Sequence, residues 1–181
     1  MRWNSSKVGY GWLAITFHWL MLLLFVGAYC TMEFKSVFPS KSAQRDLMAL
    51  WHYGLGLSVF LLVWLRLLAR FGGSEPPIVP TLPPWQIRIS SVTHWALYVL
   101  MIVLPLLGWL TLSAKGVPVI LFGNELPFLL AKNPEWAEWL KEAHETGASA
   151  GYFLIGLHAV AALYHHYVRR DNTIRLMWFR S

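Results

Sequence analysis

Four long apolar segments follow one another along this chain of 181 residues. They cover about residues 12–31, 47–68, 90–112 and 148–168. Each contains the roughly 20 apolar residues that an α-helix needs to cross the hydrocarbon core of a bilayer. The pattern predicts an all-α membrane protein, a four-transmembrane-helix bundle that forms a single domain over residues 1–181.

The segments between the spans carry their own signals. The stretch "FGGSEPPIVPTLPPWQI", between Phe71 and Ile87, contains five prolines and two glycines, which predicts an irregular, stiff connector. In "NPEWAEWLKEAHE", Asn133 is a typical N-cap and Pro134 suits the first helical position. The last helix is therefore expected to begin at about residue 134. A helix over 134–168 would be about 52 Å long, so it would extend beyond the membrane on the outer side.

Charge predicts which side of the membrane each segment occupies. With both termini inside, the inner segments carry nine basic and two acidic residues, a net charge of +7, whereas the outer segments carry six basic and seven acidic residues, a net charge of −1. Cytoplasmic loops of membrane proteins are rich in Lys and Arg, so both termini are expected to be cytoplasmic. The overall charge of +6 is then a topology signal, and no nucleic-acid partner is expected.

Four histidines match one another in depth and helical face. His144 and His158 are fourteen residues apart, which returns a helix almost to the same azimuth. His18 and His158 each lie eleven residues from an inner-side basic residue, whereas His52 and His144 both lie near the outer side. The sequence therefore predicts two histidine pairs, His18 with His158 and His52 with His144, one in each half of the bilayer.

Two opposed imidazoles are the ligands that a haem iron requires, because the porphyrin supplies the other four donors. A zinc site normally recruits three or four protein ligands. The chain has no C-x-x-C-H motif, so the haems would be bound non-covalently as two b-type haems. With both axial positions filled by the four histidines, the irons would transfer electrons rather than bind oxygen.

Other residues on these helices fit the same interpretation. Gly56 and Gly151 lie on the ligand faces, where a small residue lets a flat ring approach the backbone. Arg66 and Arg70 return to the face of His52 near the inner side, where they could bind the haem propionates. Each residue also has a simpler explanation: interhelical hydrogen bonding for a histidine, helix packing for a glycine and snorkelling to the surface for an arginine.

The chain resembles the bacterial cytochrome b561 family over nearly its whole length. The segments that carry the resemblance are "TFHWLMLLLFVGAYCTMEF", "LWHYGLGLSVFLLVWLRLLAR", "HWALYVLMIVLPLLGW" and "HETGASAGYFLIGLHAVAALYHHYVRRDNT". The resemblance implies a four-helix dihaem cytochrome of the bacterial inner membrane with ligands His18, His52, His144 and His158. It also implies electron transfer from superoxide outside the membrane to ubiquinone within it.

Further residues acquire expected roles from this resemblance. His165 lies seven residues beyond His158, on the same face, where it could hydrogen-bond a quinone carbonyl or deliver a proton. His94 is expected to serve the same inner site. Lys35, Lys41 and Arg45 could attract the superoxide anion electrostatically, although an ordinary solvated loop is an equal alternative.

Two other functions stay open at this stage. The chain could be the membrane subunit of a dehydrogenase or hydrogenase that relays electrons between a partner protein and quinone. It could instead be a metal transporter that uses its histidines, which would bind no haem. Beyond the lipid bilayer, ubiquinone and superoxide, a protein partner or a homo-oligomer is possible but is not indicated.

Overall fold

The computed structural model describes Trp3, residues 5–121 and residues 123–178. Its four long helices are α1 (Trp12–Lys35), α2 (Ala43–Phe71), α3 (Pro84–Lys115) and α4 (Pro134–Tyr164). The smaller elements are a hairpin of β1 (Val119–Leu121) and β2 (Asn124–Leu126), a π-helical turn over His165–Arg169 and the short helix α5 (Thr173–Leu176).

The four long helices confirm the predicted membrane architecture. All four are long and apolar enough to cross a bilayer, the last one as Pro134–Arg169 with the π-helical turn included. Only 6–28% of the most apolar part of each span is buried inside the protein. Apolar surface of this extent requires a lipid environment, so the chain is a membrane protein. The short β-hairpin between α3 and α4 was not expected.

The helix boundaries follow local capping chemistry. At the start of α4, Oδ1 of Asn133 accepts the backbone N–H groups of Glu135 and Trp136 at 3.0 and 3.1 Å, which is the N-cap arrangement that the sequence predicts. The proline-rich connector is shorter than expected, because α3 already begins at Pro84. Proline is well tolerated at a first helical position, so the irregular segment ends before Ile87.

The chain divides into two compact units, and each long helix contributes a part to both. The His18 unit contains the residues up to Leu20, Val63–Val99 and the residues from Ala150 onward. The His52 unit contains Met21–Leu62 and Leu100–Ser149. Each predicted histidine pair therefore falls within one unit.

The His52 unit is held together by a small apolar cluster and by the hairpin. Ala114, Ala137 and Leu140 are buried and pack with Leu107 and Leu110. In β1 and β2 the strands are antiparallel, with Val119 opposite Leu126. These contacts fasten the end of α3 to the start of α4.

The His18 unit is closed by side-chain hydrogen bonds from the C-terminal segment. Asn172 binds the connector twice, since its Oδ1 accepts Val79 N–H at 2.8 Å and its Nδ2 donates to the carbonyl of Pro77 at 3.2 Å. Trp19 Nε1 donates to the carbonyl of Met177 at 2.9 Å. The C-terminal segment therefore ties the proline-rich connector and α1 into one unit.

The sidedness of the chain stays a prediction. Two of the basic residues that support cytoplasmic termini, Arg2 and Arg180, lie outside the described residues. Arg66 and Arg70 lie near the end of α2, whereas Arg88 and Arg169, expected just outside the spans, lie within the helices that could cross the bilayer.

Candidate haem sites

The first candidate site lies in the His52 unit, where α2 supplies His52 and α4 supplies His144. Their ring centroids are 6.0 Å apart and the ring planes cross at 83°. Nδ1 of His52 lies 2.9 Å from the carbonyl oxygen of Ala28, and Nδ1 of His144 lies 2.9 Å from that of Leu104. Because a carbonyl oxygen only accepts, both Nδ1 atoms carry the proton. Each Nε2 is therefore left with a free lone pair, as in a metal-binding histidine.

Open space adjoins this pair. A partly open cleft is bounded by both rings, by Gly56 on α2 and by Gly108 on α3. A Cβ atom added to Gly56 would meet nothing within 4 Å, so the cleft reaches the backbone of α2 at the glycine that the sequence indicated. Both rings and the glycine backbone of α2 therefore border the same cleft.

Gly108 was missed by the sequence analysis. A Cβ atom at this position would lie 3.3 Å from Cε1 of His144, which is closer than ordinary van der Waals contact. Gly108 is one helical turn after Leu104, whose carbonyl orients the same ring, and this spacing is the signal that could have identified it. Because glycine has no side chain, Gly108 leaves space for the His144 ring.

The second candidate site lies in the His18 unit. The rings of His18 on α1 and His158 on α4 have centroids 6.2 Å apart, and their planes are inclined at 57°. Arg66 donates through an Nη atom to Nδ1 of His18 at 3.2 Å. A guanidinium group cannot accept a hydrogen bond, so this contact places the His18 proton on Nε2, unlike the arrangement in the His52 unit.

His94 joins this second pair. Its ring centroid is 5.4 Å from that of His158, and its Nδ1 lies 3.5 Å from the hydroxyl of Ser90 on the same helix. The structure therefore brings His94 to the predicted neighbourhood, and its role stays a prediction. Gly151 is buried in the same unit, and its role as a ring-approach position also stays a prediction.

Arg66 and Arg70 share a neighbour that the sequence analysis did not identify. The guanidinium carbons lie 5.7 and 5.9 Å from the ring centroid of Tyr98, and Nε of Arg66 also donates to the Tyr98 hydroxyl at 3.3 Å. Arg70 forms an ion pair with Glu75 in the connector. Tyr98 is nearly fully buried, and both guanidinium groups lie near its ring.

Tyr10, just before α1, belongs to the same electrostatic neighbourhood. Burial raises the pKa of its hydroxyl, and the Glu75 carboxylate raises it further, against the opposing effect of Arg70. The hydroxyl therefore stays protonated around neutral pH and can donate or accept a hydrogen bond.

The end of α4 brings His165 to Asp171. Nδ1 of His165 lies 2.5 Å from Oδ2 of Asp171, and the Asp171 side chain is fully buried. The helix reaches this contact through the π-helical turn that begins at His165. The sequence indicated His165 through its spacing from His158. Its contact with Asp171 was not predicted, because no residue pattern indicates the π-helical turn.

The three basic residues expected to attract superoxide differ in their surroundings: Lys35 ends α1, Lys41 lies in the loop between α1 and α2, and Arg45 lies in the first turn of α2. Arg45 donates through Nη1 to the carbonyls of Lys35 and Phe38 at 3.3 and 3.2 Å, so its guanidinium also organises the loop. Lys41 is exposed and has a left-handed backbone with φ of 63°. Lys35 lies close enough to His52 to interact with it electrostatically. Their role toward superoxide stays a prediction.

The spacing of both pairs fits one metal ion held between two rings. A metal–imidazole bond of roughly 2 Å on each side separates two ring centroids by about 6 Å, which matches the observed 6.0 and 6.2 Å. Among the described residues, no three His, Cys, Asp or Glu side chains form a cluster that could hold a metal without further ligands. A two-histidine donor set fits an iron whose other ligands come from a porphyrin.

Comparison with known proteins places this architecture in a family. The family model described as prokaryotic cytochrome b561 matches residues 9–180. The chain belongs to the prokaryotic cytochrome b561 family. This membership gives membrane electron transfer as its general activity and implies a b-type haem.

Curated relatives agree with the family model over most of their length. Cytochrome b561 homolog 1 of Escherichia coli (strain K12) is 39% identical over 163 residues, which cover 90% of this chain and 93% of the relative. A protein named probable superoxide oxidase CybB, from Yersinia pestis, is 38% identical over 168 residues, or 93% of this chain and 94% of the relative. Cytochrome b561 homolog 2 of E. coli is 24% identical over 188 residues, covering 100% and 97%. A bacterial membrane location follows for this cytochrome b561 family member.

Proposed function

We propose that this chain is a dihaem membrane cytochrome that oxidises superoxide outside the bacterial inner membrane and reduces ubiquinone. The observation that carries the proposal is the presence of one imidazole pair in each compact unit, with ring centroids at the separation that a single iron requires. We also propose that both units form one functional domain and that both termini are cytoplasmic, as the distribution of Lys and Arg indicates.

The histidines and their partners would hold the two b-type haems. His52 and His144 would bind one haem and His18 and His158 the other. In the His52 unit the carbonyls of Ala28 and Leu104 fix the tautomer that leaves Nε2 free. When bound, each haem supplies reversible one-electron chemistry.

Arg66 would change its partner when a haem is bound. Ligation of His18 through Nε2 requires the proton on Nδ1, so Arg66 would have to release its present contact with that atom. The Nη2 group of Arg66 would then be free to donate to a carboxylate such as a propionate, while Nε and Nη1 keep their contacts with the Tyr98 hydroxyl and the Phe17 carbonyl. Arg70 lies against the same Tyr98 ring, so a second guanidinium stands beside it.

The reaction balances with two superoxide anions for each quinone. The two anions lose one electron each and leave as oxygen, and ubiquinone takes up both electrons and two protons. Lys35, Lys41 and Arg45 would attract the anion. His165 would donate protons to the quinone, because imidazole exchanges its proton near neutral pH.

The proposal is tested with purified protein, enzymatically generated superoxide and ubiquinone-1, in the absence of any other protein. We expect quinone reduction that depends on superoxide, and a reduced-minus-oxidised spectrum with two haems per chain. Single His→Ala variants at His52, His144, His18 and His158 should each lose about one haem per chain. Reduction only after a partner dehydrogenase or hydrogenase is added would instead support a relay subunit, and a colourless protein from haem-sufficient cells would support a metal transporter.

A further inference from the structure

Asp171 is the only buried acidic side chain among the residues that the structure describes. Its exposed fraction is 1%. A buried carboxylate without partners is strongly destabilising, so its partners indicate why it is there. Oδ1 accepts the backbone N–H of Thr173 at 3.0 Å, and Oδ2 accepts Nδ1–H of His165.

The backbone at the end of α4 is shaped to make this contact. The helix widens into a π-helical turn over His165–Arg169, and Arg170 then adopts a left-handed conformation with φ of 56° and ψ of 34°. A left-handed conformation is unfavourable for a residue with a Cβ atom. The same turn lets the backbone N–H of Asp171 donate to the carbonyl of His165 at 3.2 Å. Two hydrogen bonds, one from the backbone and one from the side chain, therefore join these two residues.

Among the described residues, Arg169 and Tyr164 are the charged and titratable neighbours of this pair. The Arg169 Nε lies 3.8 Å from Oδ2 of Asp171, and that guanidinium also donates to Gln86 on α3 at 3.1 Å. The Tyr164 ring lies with its centroid 5.9 Å from that of His165. The carboxylate of Asp171 therefore has a cationic neighbour in addition to the imidazole.

The contact leaves His165 with one functional nitrogen. Nδ1 is committed to Asp171, and among the described residues Nε2 has no hydrogen-bond partner. The His165 side chain is 17% exposed, so part of it is accessible. A buried carboxylate on Nδ1 fixes both the orientation and the tautomer of an imidazole, and it stabilises the imidazolium form.

We propose that Asp171 is a positioning residue that aims Nε2 of His165 at ubiquinone and keeps that ring ready to donate a proton. The inference rests on the proposed quinone reduction. In each transfer the Nε2–H bond breaks and an O–H bond forms on the reduced quinone, whose electrons come from the two superoxide anions. Water restores the proton to His165. Asp171 itself touches no substrate.

The state of the carboxylate supports this role. Burial alone would raise the pKa of Asp171, but hydrogen bonds from His165 and Thr173 outweigh it and hold the pKa below its ordinary value. Asp171 is therefore ionised at neutral pH and can stabilise a positive charge on the ring.

The experiment isolates quinone reduction from the superoxide reaction. Protein reduced with dithionite is freed of excess reductant and mixed anaerobically with ubiquinone-1, and reoxidation is followed in the haem bands. The variants are Asp171→Asn, His165→Gln and the double variant. Asp46→Asn is the matched control, because it makes the same change at the chain's other aspartate, which is exposed at the start of α2. Haem content and spectrum are measured for every variant.

We expect Asp171→Asn to lower the saturating rate of reoxidation by at least about tenfold at pH 8, because a general acid contributes about 10²–10⁴-fold and Asp171 would supply only a part of this effect through His165. The loss should be smaller at pH 6, because removal of the carboxylate disfavours the charged imidazole and moves the alkaline fall of the rate toward lower pH. The double variant should be no slower than His165→Gln, since one residue acts through the other. Asp46→Asn should keep the wild-type pH profile.

Each outcome bears on a different claim. Additive losses in the double variant, or a wild-type rate and pH profile in Asp171→Asn, would overturn the positioning role alone. If Asp171→Asn loses haem, Asp171→Glu provides the second variant, and failure of this carboxylate to restore the pH profile would also overturn the role. A wild-type protein that ubiquinone-1 cannot reoxidise would overturn the proposed quinone reduction and this inference together.

Discussion

The histidine tautomers are decided by single backbone and side-chain contacts. Carbonyl groups of Ala28 and Leu104 orient the two rings of the His52 unit, whereas a guanidinium contacts the His18 ring. The histidines of the two candidate haem sites therefore differ in the hydrogen-bond partner of Nδ1, a carbonyl in one site and a guanidinium in the other. Such partners tune the basicity of a ligand and, through it, the bound metal.

Gly108→Ala tests the steric fit of the His144 ring. The added Cβ atom would lie 3.3 Å from Cε1 of this ring, so the ring must move by a few tenths of an ångström, at a cost of roughly 1–3 kcal/mol if the site cannot relax. We expect a lower haem content or a shifted potential at one of two haems. Gly54→Ala is the control, because its Cβ atom would meet nothing within 4 Å. Identical spectra and redox titrations for both variants would contradict the assignment.

Arg66→Leu tests the charge beside the second candidate site. Removing a guanidinium disfavours the more reduced, less positive form of a nearby haem, so we expect one midpoint potential to fall and one haem to be held less tightly. Redox titration and haem quantitation measure both effects. Arg88→Leu is the control, since Arg88 is an exposed basic residue of the same unit. Equal potentials in Arg66→Leu and the wild type would count against a propionate contact.

At the level of elements, local chemistry sets where helices begin, and long-range contacts set how they end. Asn133 caps α4 as its sequence signal predicts. At the other end, α4 passes into the π-helical turn, and Arg169 and Asp171 hydrogen-bond groups outside the helix. π-Helical turns are uncommon and often mark functional sites, which agrees with the proposed role of His165.

The acid sensitivity of this helix end follows from Asp171. Because its pKa is lowered in the folded protein, the carboxylate contributes its full stabilisation above its ordinary pKa of 3.8, and this contribution is lost as pH falls through the lower folded value. We therefore expect Asp171→Asn to be less stable than the wild type at pH 7 and less sensitive to pH between about 5 and 3. Thermal unfolding in detergent, followed by circular dichroism, measures this difference. A parallel pH dependence in both proteins would contradict it.

Much of the architecture was predictable because helix geometry and bilayer thickness leave few choices. The four spans, the start of α4 and the convergence of His18 with His158 and of His52 with His144 follow from the order of residues alone. Gly108, Tyr98 and Asp171 were not predicted, since their importance comes from neighbours far along the chain. The β-hairpin was missed because strands of three residues carry almost no periodic signal.

At the scale of the whole molecule, charge is distributed unevenly among the segments between the spans. The predicted inner segments are strongly basic, whereas the predicted outer segments are nearly neutral. Local attraction of superoxide would therefore depend on where individual lysines stand rather than on net charge. Lys35, at the end of α1, lies close enough to His52 to interact with it electrostatically.

Ionic strength tests electrostatic attraction of the anion. Exposed charges are screened beyond about 10 Å at 0.1 M salt, so we expect the superoxide-dependent rate to fall several-fold between low and physiological salt. Lys41→Gln should have a lower rate at low salt and a shallower salt dependence. The dithionite-reduced protein, mixed with neutral ubiquinone-1, provides a salt control that should respond weakly. A flat response of the superoxide reaction would leave the loop as an ordinary solvated segment.

The crossing angles of the two imidazole pairs give the proposed haems separate magnetic signatures. The ring planes of His52 and His144 cross at 83° and those of His18 and His158 at 57°, so the two pairs would hold their proposed haems with different ring orientations. In the oxidised protein, electron paramagnetic resonance should therefore show two different low-spin signals. Each haem could then be followed separately in a redox titration, which would show which of the two accepts an electron first.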